Sequence, residues 1–248
     1  MNTATPTEVL KDEAALQLDA NGNLRHLLTL KGLDKSLLTE ILDDAQQYLT
    51  EPGELPARGQ SLVGRSVANL FFEASTRTRA SFDLAGTRLG ADVLNLDVNT
   101  SSRKKGESIL DTIYTLEAMH VDIMVVRDAS AGVPAFIARH VLPHVSILNA
   151  GESDVSHPTQ GLLDVLTMRQ HKGAFEGLTV AIVGDIRHSR VAMSTSHALS
   201  TLGVGELRLI SPPVLAPDPD SVPGARIFDN LREGLADADV VMALRIQR

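Results

Sequence analysis

The sequence contains no cysteine, and this absence removes several kinds of chemistry at once. Without thiols there is no disulfide, thiolate zinc site, iron–sulfur cluster or cysteine nucleophile. Tryptophan is also absent, and the chain of 248 residues has only two tyrosines and six phenylalanines. Because modules that stack nucleic-acid bases rely on aromatic platforms, this composition argues against that class of protein.

Positive charge is scarce as well. The 23 Lys and Arg residues are outnumbered by 31 Asp and Glu residues, and the formal net charge is −8. No overall basic field draws such a chain to nucleic acid or to a membrane surface. No apolar run reaches the roughly 18 residues of a membrane span, and the first residues lack a signal-peptide pattern. We therefore expect a cytoplasmic protein with neither nucleic acid nor membrane as a partner.

The order of apolar segments predicts an α/β fold with two doubly wound parallel-sheet domains. Short apolar runs typical of buried strands alternate with stretches of helical spacing. The predicted strands cover residues 67–72, 93–96, 123–126, 145–148, 179–183, 207–210 and 240–244. One helix is predicted to follow Asp34 and another to cover 158–172.

We divide the chain into three parts on this basis. Residues 1–23 are polar and predict a loosely held N-terminal extension, followed by a first domain over 24–156 and a second over 157–248. The second sheet has about three or four predicted strands, and its last strand lacks covering elements. We therefore expect the second domain to be incomplete at the C-terminus.

The residues best suited to bind an anion follow the first predicted strand. Ser75-Thr76-Arg77-Thr78-Arg79 stands where a buried strand ends and a helix begins. Backbone N–H groups and the positive end of the helix meet hydroxyl and guanidinium groups there. A phosphate is the natural ligand of such an arrangement. The same residues would also fit a simple helix cap followed by two solvated arginines.

Further candidates stand at the ends of later strands, where open α/β sheets bind ligands. They are Arg127 and the run His157-Pro158-Thr159-Gln160. A neutral His157 could polarise a carbonyl, and Gln160 could offer its amide to the same group. A structural ion pair for Arg127 and a helix cap for His157 are the alternatives. The basic run 99–108 fits either a solvated surface or a mobile anion clamp.

Other catalytic signatures are missing from the sequence. It has no Gly-x-x-x-x-Gly-Lys-Ser/Thr, no Gly-x-Gly-x-x-Gly and no Gly-x-Ser-x-Gly. His140 and His144 are four residues apart, but Pro143 intervenes and no acidic cluster completes a metal site. The remaining Arg, Lys, Thr and His residues suit the positioning of anions and the stabilisation of developing charge.

These motifs together resemble the aspartate/ornithine carbamoyltransferase family. Residues 75–79 are similar to its phosphate-binding motif and residues 157–160 to its carbamoyl-group motif, with Arg127 between them. The Lys-Lys-Gly-Glu of the run 101–108, together with Arg190 and the Arg-Ile-Gln of 245–247, resembles the aspartate branch. The Ser-Met-Gly run of the ornithine branch is absent.

The resemblance implies a role for each motif residue. Carbamoyl phosphate would be bound by Ser75, Thr76, Arg77, Thr78, Arg127, His157 and Gln160. Aspartate would be bound by Lys105, Arg190, Arg245 and Gln247. The implied catalytic residues are Arg77, Thr78, Lys105, Arg127 and His157. Among these, His157, Thr78 and Arg127 would stabilise the carbonyl oxygen as it gains charge, while Gln160 orients the NH2 group. No cofactor and no metal is implied.

The implied reaction transfers the carbamoyl group of carbamoyl phosphate to the amine of L-aspartate, an early step of pyrimidine biosynthesis. The family also implies a homotrimer in which Ser101 and Lys105 reach a neighbour's site, and allows larger assemblies with another chain. Because the family continues beyond its Arg-x-Gln segment, we expect a truncated second domain. The alternatives are a carbamoyltransferase for another amine such as ornithine, and a non-catalytic anion-binding or assembly chain.

Overall fold

The structure is a computed structural model and describes residues 13–96 and 108–246. Within these residues the chain forms eight α-helices and eight strands. In chain order they are α1 (Glu13–Leu16), α2 (Lys35–Gln46), β1 (Ser66–Phe71), α3 (Thr76–Arg88), β2 (Asp92–Leu96), α4 (Ile109–Ala118), β3 (Ile123–Asp128), α5 (Val133–Ala138), β4 (Ser146–Glu152), α6 (Pro158–Lys172), β5 (Thr179–Val183), α7 (Arg190–Leu202), β6 (Glu206–Ile210), β7 (Arg226–Phe228), α8 (Leu231–Leu235) and β8 (Val240–Ala243).

The first compact unit is formed by the described residues of 1–28 and 44–153. Its strands lie parallel in the order β2-β1-β3-β4. On one face of this sheet Val67 packs with Phe82 of α3. On the opposite face Leu70 belongs to a larger cluster that includes residues of α4 and α5. The sheet is thus covered on both sides, as its continuous apolar strands predict.

The second compact unit is formed by the described residues of 29–43 and 154–248. Its strands are also parallel, in the order β7-β6-β5-β8. The helices α6 and α7 pack against each other, and Asp43 of α2 forms an ion pair with Arg169 of α6 at 2.7 Å. Two parallel sheets with flanking helices confirm the predicted α/β class.

The element bounds differ from the sequence prediction in a few places. The bounds of α6 are confirmed, whereas the strand Arg226–Phe228 was not predicted because it has only three residues and little burial. Residues 29–43 lie with the second unit. The predicted boundary between the two domains, between residues 156 and 157, stays a prediction. Of the helices in the described ranges, none has the length and apolarity needed to cross a membrane.

The polar segment before residue 24 packs more closely than its composition suggests. Gln17 is fully buried, and its side-chain oxygen accepts a hydrogen bond from the Leu28 N–H at 2.7 Å. Its carbonyl accepts another from the Arg25 N–H at 2.7 Å. Leu27 runs parallel beside Leu148 of β4. Residues 13–28 therefore belong to the body of the first unit, and residues 1–12 lie outside the described residues.

Two glutamates share a buried position in the first unit. Glu152 is fully buried, and its carboxylate accepts hydrogen bonds from the Gly132 N–H at 2.7 Å and the Asn149 amide at 3.0 Å. Burial raises the pKa of Glu152 well above its ordinary value of 4.5, the neighbouring Glu13 raises it further, and the two donors oppose this. Folding therefore favours the protonated form of Glu152.

We predict that the free energy of unfolding falls as the pH rises above 4.5, the ordinary glutamate value. A pKa that is higher in the folded state stabilises the fold fully at low pH, and this advantage is lost as the pH rises through the folded-state pKa. One such group contributes a slope of at most about 1.4 kcal/mol per pH unit. Urea denaturation at a series of pH values measures this slope.

The variant Glu13→Gln removes the like charge beside Glu152 and should flatten the slope. Glu54→Gln is the control, because Glu54 is exposed and its loss should leave the slope as in the wild type. Equal slopes in the wild type and in Glu13→Gln would contradict this account of the buried pair.

Candidate functional site

The first group of candidate residues lies where β1 ends and α3 begins. The backbone N–H groups of Phe72 and Glu73 donate to the Arg127 carbonyl at 2.8 and 3.3 Å, which ties the turn after β1 to β3. Ser75 is extended (φ −156°, ψ 104°) and caps α3, and within the described residues its hydroxyl makes no capping hydrogen bond. Thr78 is half-buried in the first turn. The backbone N–H groups of this turn have no helical acceptor, as an anion site requires.

The two arginines of this motif take different positions. Thr76 and Arg77 are exposed at the start of α3. Arg79 is half-buried, and its Nε donates to the Asn95 side-chain oxygen at 3.3 Å. Asn69 donates to the same oxygen at 3.0 Å. Arg79 is therefore bound to the sheet beneath α3, whereas Arg77 extends from the amino end of the helix into solvent.

Arg127 is held in one orientation at the carboxyl end of β3. It lies beside Phe71 of β1 in the sheet register. Its guanidinium is buried, with Nη2 donating to the Glu73 carboxylate at 2.6 Å and Nη1 donating to the Ala150 carbonyl at 3.0 Å. The ion pair considered from the sequence is thus present. The same guanidinium also lies at the end of the sheet where α3 begins.

The second group lies in the second unit, at the start of α6. His157 is buried, caps this helix and donates its backbone N–H to the Ser194 hydroxyl oxygen at 2.9 Å. Its Nδ1 lies 3.4 Å from the Thr159 hydroxyl. Gln160 is half-buried, and its amide nitrogen donates to Asp164 Oδ1 at 2.9 Å. The amino end of α6 therefore carries both an imidazole and a fixed amide.

Asp164 is a residue that sequence reasoning missed. Burial raises the pKa of Asp164, and hydrogen bonds from Gln160 and from the Thr195 hydroxyl at 2.8 Å oppose this shift. Its spacing of four residues from Gln160 on one helix was a readable signal. Thr195 and Ser194 belong to α7, and no local pattern in the sequence indicates their contacts with α6.

The third group follows β5 and β8, which are neighbouring parallel strands. Arg190 is the first residue of α7, the helix after β5, and is half-buried. Arg245 is exposed just after β8. Gly184 permits the close approach of the two strand ends, because a Cβ at its φ of 131° would lie 2.6 Å from the Leu244 carbonyl oxygen. Both arginines thus come after the carboxyl edge of the second sheet.

Three predicted site residues, Ser101, Lys105 and Gln247, lie outside the described residues. Their roles stay predictions. His140, considered as a metal ligand, instead has its Nδ1 2.8 Å from the Phe136 carbonyl oxygen. Within residues 13–96 and 108–246, no group of three or more His, Asp and Glu side chains is placed to hold a metal ion.

Known proteins resemble this chain in sequence and in structure. A family model described as aspartate/ornithine carbamoyltransferase, carbamoyl-P binding domain, matches residues 25–170. The catalytic subunit of M. jannaschii aspartate transcarbamoylase is 33% identical with a TM-score of 0.77, over 90% of this chain and 74% of that chain.

Two further solved structures extend the comparison. Aspartate transcarbamoylase from Trypanosoma cruzi, in complex with N-(phosphonacetyl)-L-aspartic acid, is 30% identical with a TM-score of 0.77, over 94% of this chain and 75% of that chain. Ornithine carbamoyltransferase from Thermus thermophilus is 28% identical with a TM-score of 0.79, over 89% of this chain and 74% of that chain. The protein therefore belongs to the aspartate/ornithine carbamoyltransferase family.

Proposed function

We propose that this chain is an aspartate carbamoyltransferase catalytic chain. It transfers the carbamoyl group of carbamoyl phosphate to the amine of L-aspartate and releases phosphate, an early step of pyrimidine biosynthesis. Its family membership supports carbamoyl transfer, and the Trypanosoma cruzi relative was solved with carbamoyl phosphate and aspartate. The observation that carries the choice of acceptor is the pair Arg190 and Arg245 after neighbouring strands of one sheet. Two cations at one sheet edge suit a dicarboxylate.

The first unit supplies the groups for the phosphate of carbamoyl phosphate. The first-turn N–H groups of α3 and the hydroxyls of Ser75, Thr76 and Thr78 can donate to its oxygens. Arg77 adds a guanidinium that is exposed at the same helix end. Arg127 contributes a second positive charge, already oriented by Glu73. Positive groups of this kind stabilise the negative charge that collects on the departing phosphate.

The carbamoyl carbon is the atom that changes partners in the proposed reaction. The aspartate amine attacks this carbon, a carbon–nitrogen bond forms, and the bond to the phosphate oxygen breaks. The amine loses a proton, which the departing phosphate can accept, and the products are N-carbamoyl-L-aspartate and phosphate. We assign His157, Thr78 and Arg127 to the carbonyl oxygen, which gains negative charge as the amine attacks. We assign Gln160 to the carbamoyl NH2 group and no cofactor to the reaction.

The remaining aspartate contacts and the assembly rest on the resemblance. Lys105 would add a third cation for the aspartate carboxylates, and Gln247 would order Arg245. We propose a cytoplasmic homotrimer in which Ser101 and Lys105 act in the neighbouring subunit's site. Larger assemblies with another chain are compatible with this arrangement.

Ornithine is the second candidate acceptor. The Thermus thermophilus ornithine carbamoyltransferase has a TM-score of 0.79 with this chain, so its fold similarity is as strong as that of the aspartate enzymes. The fold alone thus allows either amine. The cationic side chain of ornithine fits poorly beside two arginines, which is why we place aspartate first.

We predict that Arg77→Ala lowers kcat/KM for carbamoyl phosphate by about 30- to 1,000-fold, since a lost charge-assisted phosphate contact costs about 2–4 kcal/mol. Steady-state kinetics with saturating aspartate measure this change. Arg88→Ala is the matched control, because Arg88 lies on the same helix about 16 Å further along its axis. Equal activity of the two variants would contradict phosphate binding at this helix end. A non-catalytic assembly chain would tolerate the loss of Arg77 in this way.

We predict that the wild type carbamoylates aspartate in preference to ornithine, and that Arg245→Gln lowers kcat/KM for aspartate by about 10- to 100-fold. The reason is the loss of one carboxylate contact, so the KM for carbamoyl phosphate should stay nearly unchanged. Arg232→Gln changes an exposed arginine of α8 and serves as the control. Product analysis that finds citrulline rather than N-carbamoyl-aspartate would favour the second candidate.

A further inference from the structure

The amide of Gln160 is fixed in one of its two orientations. Its Nε2 donates to Asp164 Oδ1 at 2.9 Å. The reversed amide would place Oε1 against a carboxylate oxygen, and two acceptors cannot form a hydrogen bond. Oε1 is therefore directed away from Asp164 and is left as an acceptor.

Asp164 is itself held by a second helix. Thr195 of α7 is fully buried and donates its hydroxyl hydrogen to Asp164 Oδ2 at 2.8 Å. Both carboxylate oxygens thus have a donor, one from Gln160 and one from Thr195. These two hydrogen bonds oppose the rise in pKa that burial causes, and a carboxylate with a donor on each oxygen accepts but does not donate. With Thr195 donating to Oδ2, Asp164 presents Oδ1 to Gln160 as an acceptor, and this fixes the orientation of the amide.

Close packing of α6 on α7 keeps these groups at hydrogen-bond distance. Gly161 follows Gln160 directly, and a Cβ there would lie 3.0 Å from the Ser194 carbonyl carbon and 2.8 Å from Leu30 Cδ1. The Ser194 hydroxyl oxygen accepts the backbone N–H of His157 at 2.9 Å. Ser194 of α7 therefore contacts His157 directly, and the next residue, Thr195, supports Gln160 through Asp164.

We propose that Asp164 and Thr195 are positioning residues that present Gln160 Oε1 as a hydrogen-bond acceptor. They thereby select an acyl phosphate substrate whose acyl group carries an N–H. This inference deepens the proposed function and rests on it. A carbamoyl group has an NH2 that donates to Oε1, whereas an acetyl group has a methyl in the same place. A site built around a polar contact discriminates against an analogue that lacks the matching group.

The test compares carbamoyl phosphate with acetyl phosphate, which keeps the phosphate and replaces NH2 by methyl. In Asp164→Asn either end of the new amide can face Gln160, so the orientation of Gln160 is no longer fixed. We expect kcat/KM for carbamoyl phosphate to fall by about 10- to 100-fold. The inhibition constant of acetyl phosphate should change by less than about threefold, because its methyl makes no hydrogen bond to Oε1.

Variants of the supporting threonine make the test independent of one substitution. Thr195→Val removes the hydroxyl at nearly constant volume. Like Asp164→Asn, it should reduce the preference for carbamoyl phosphate over acetyl phosphate. Thr195→Ser keeps the hydroxyl and should retain the preference. Thr167→Val is the matched control on α6, because Thr167 is exposed and its hydroxyl donates only to the Leu163 carbonyl of its own helix.

Each outcome supports or overturns the inference. If Asp164→Asn and Thr195→Val lower kcat/KM for carbamoyl phosphate and the affinity for acetyl phosphate by the same factor, the two residues are purely structural and the inference is wrong. If the wild type forms no N-carbamoyl-aspartate and binds neither phosphate, the proposed function fails and the inference fails with it. If the wild type carbamoylates ornithine instead, only the proposed amine substrate is wrong. Carbamoyl phosphate and acetyl phosphate are then compared with ornithine as the amine.

Discussion

In the first unit, one buried guanidinium joins the ends of three neighbouring strands. The Arg127 carbonyl accepts the N–H groups of Phe72 and Glu73 after β1, and its side chain reaches the Glu73 carboxylate and the Ala150 carbonyl of β4. Removing a cation from water is unfavourable by several kcal/mol unless it is paired and hydrogen-bonded. The strand ends must therefore keep the geometry that satisfies Arg127. The same contacts tie Phe72 and Glu73, which lead from β1 towards α3, to β3.

The second unit achieves similar order through helix packing and short polar side chains. Gly161 lets α6 approach the backbone of α7, and Ser194 and Thr195 then reach the first turns of α6. The helix α7 also begins with Arg190. One helix thus carries a candidate aspartate contact at its amino end and, one turn further along, contacts His157 directly and supports Gln160 through Asp164. A shift of this helix would change both sets of groups together.

Much of the fold follows from patterns along the chain. Continuous apolar runs are typical of strands buried on both faces, and they indicated seven of the eight strands in the described residues. The strand β7 was not predicted, because its three residues are too few to show a recognisable pattern. The strands β3 and β4 extend beyond their apolar runs, since Asp128 and Glu152 are buried with hydrogen-bond partners. Polar residues of this kind look like loop residues until their partners are known.

Residues close together in the chain were enough to indicate the motif at residues 75–79, the helix 158–172 and the parallel sheets, because helical and strand periodicities are local. Contacts between distant residues decided three further properties. They are the orientation of Arg127 by Ala150, 23 positions away, the attachment of Arg79 to Asn95, and the support of Asp164 by Thr195, 31 positions away. A buried polar group takes whichever partner the packing brings within hydrogen-bond distance, and local spacing along the chain does not encode that distance.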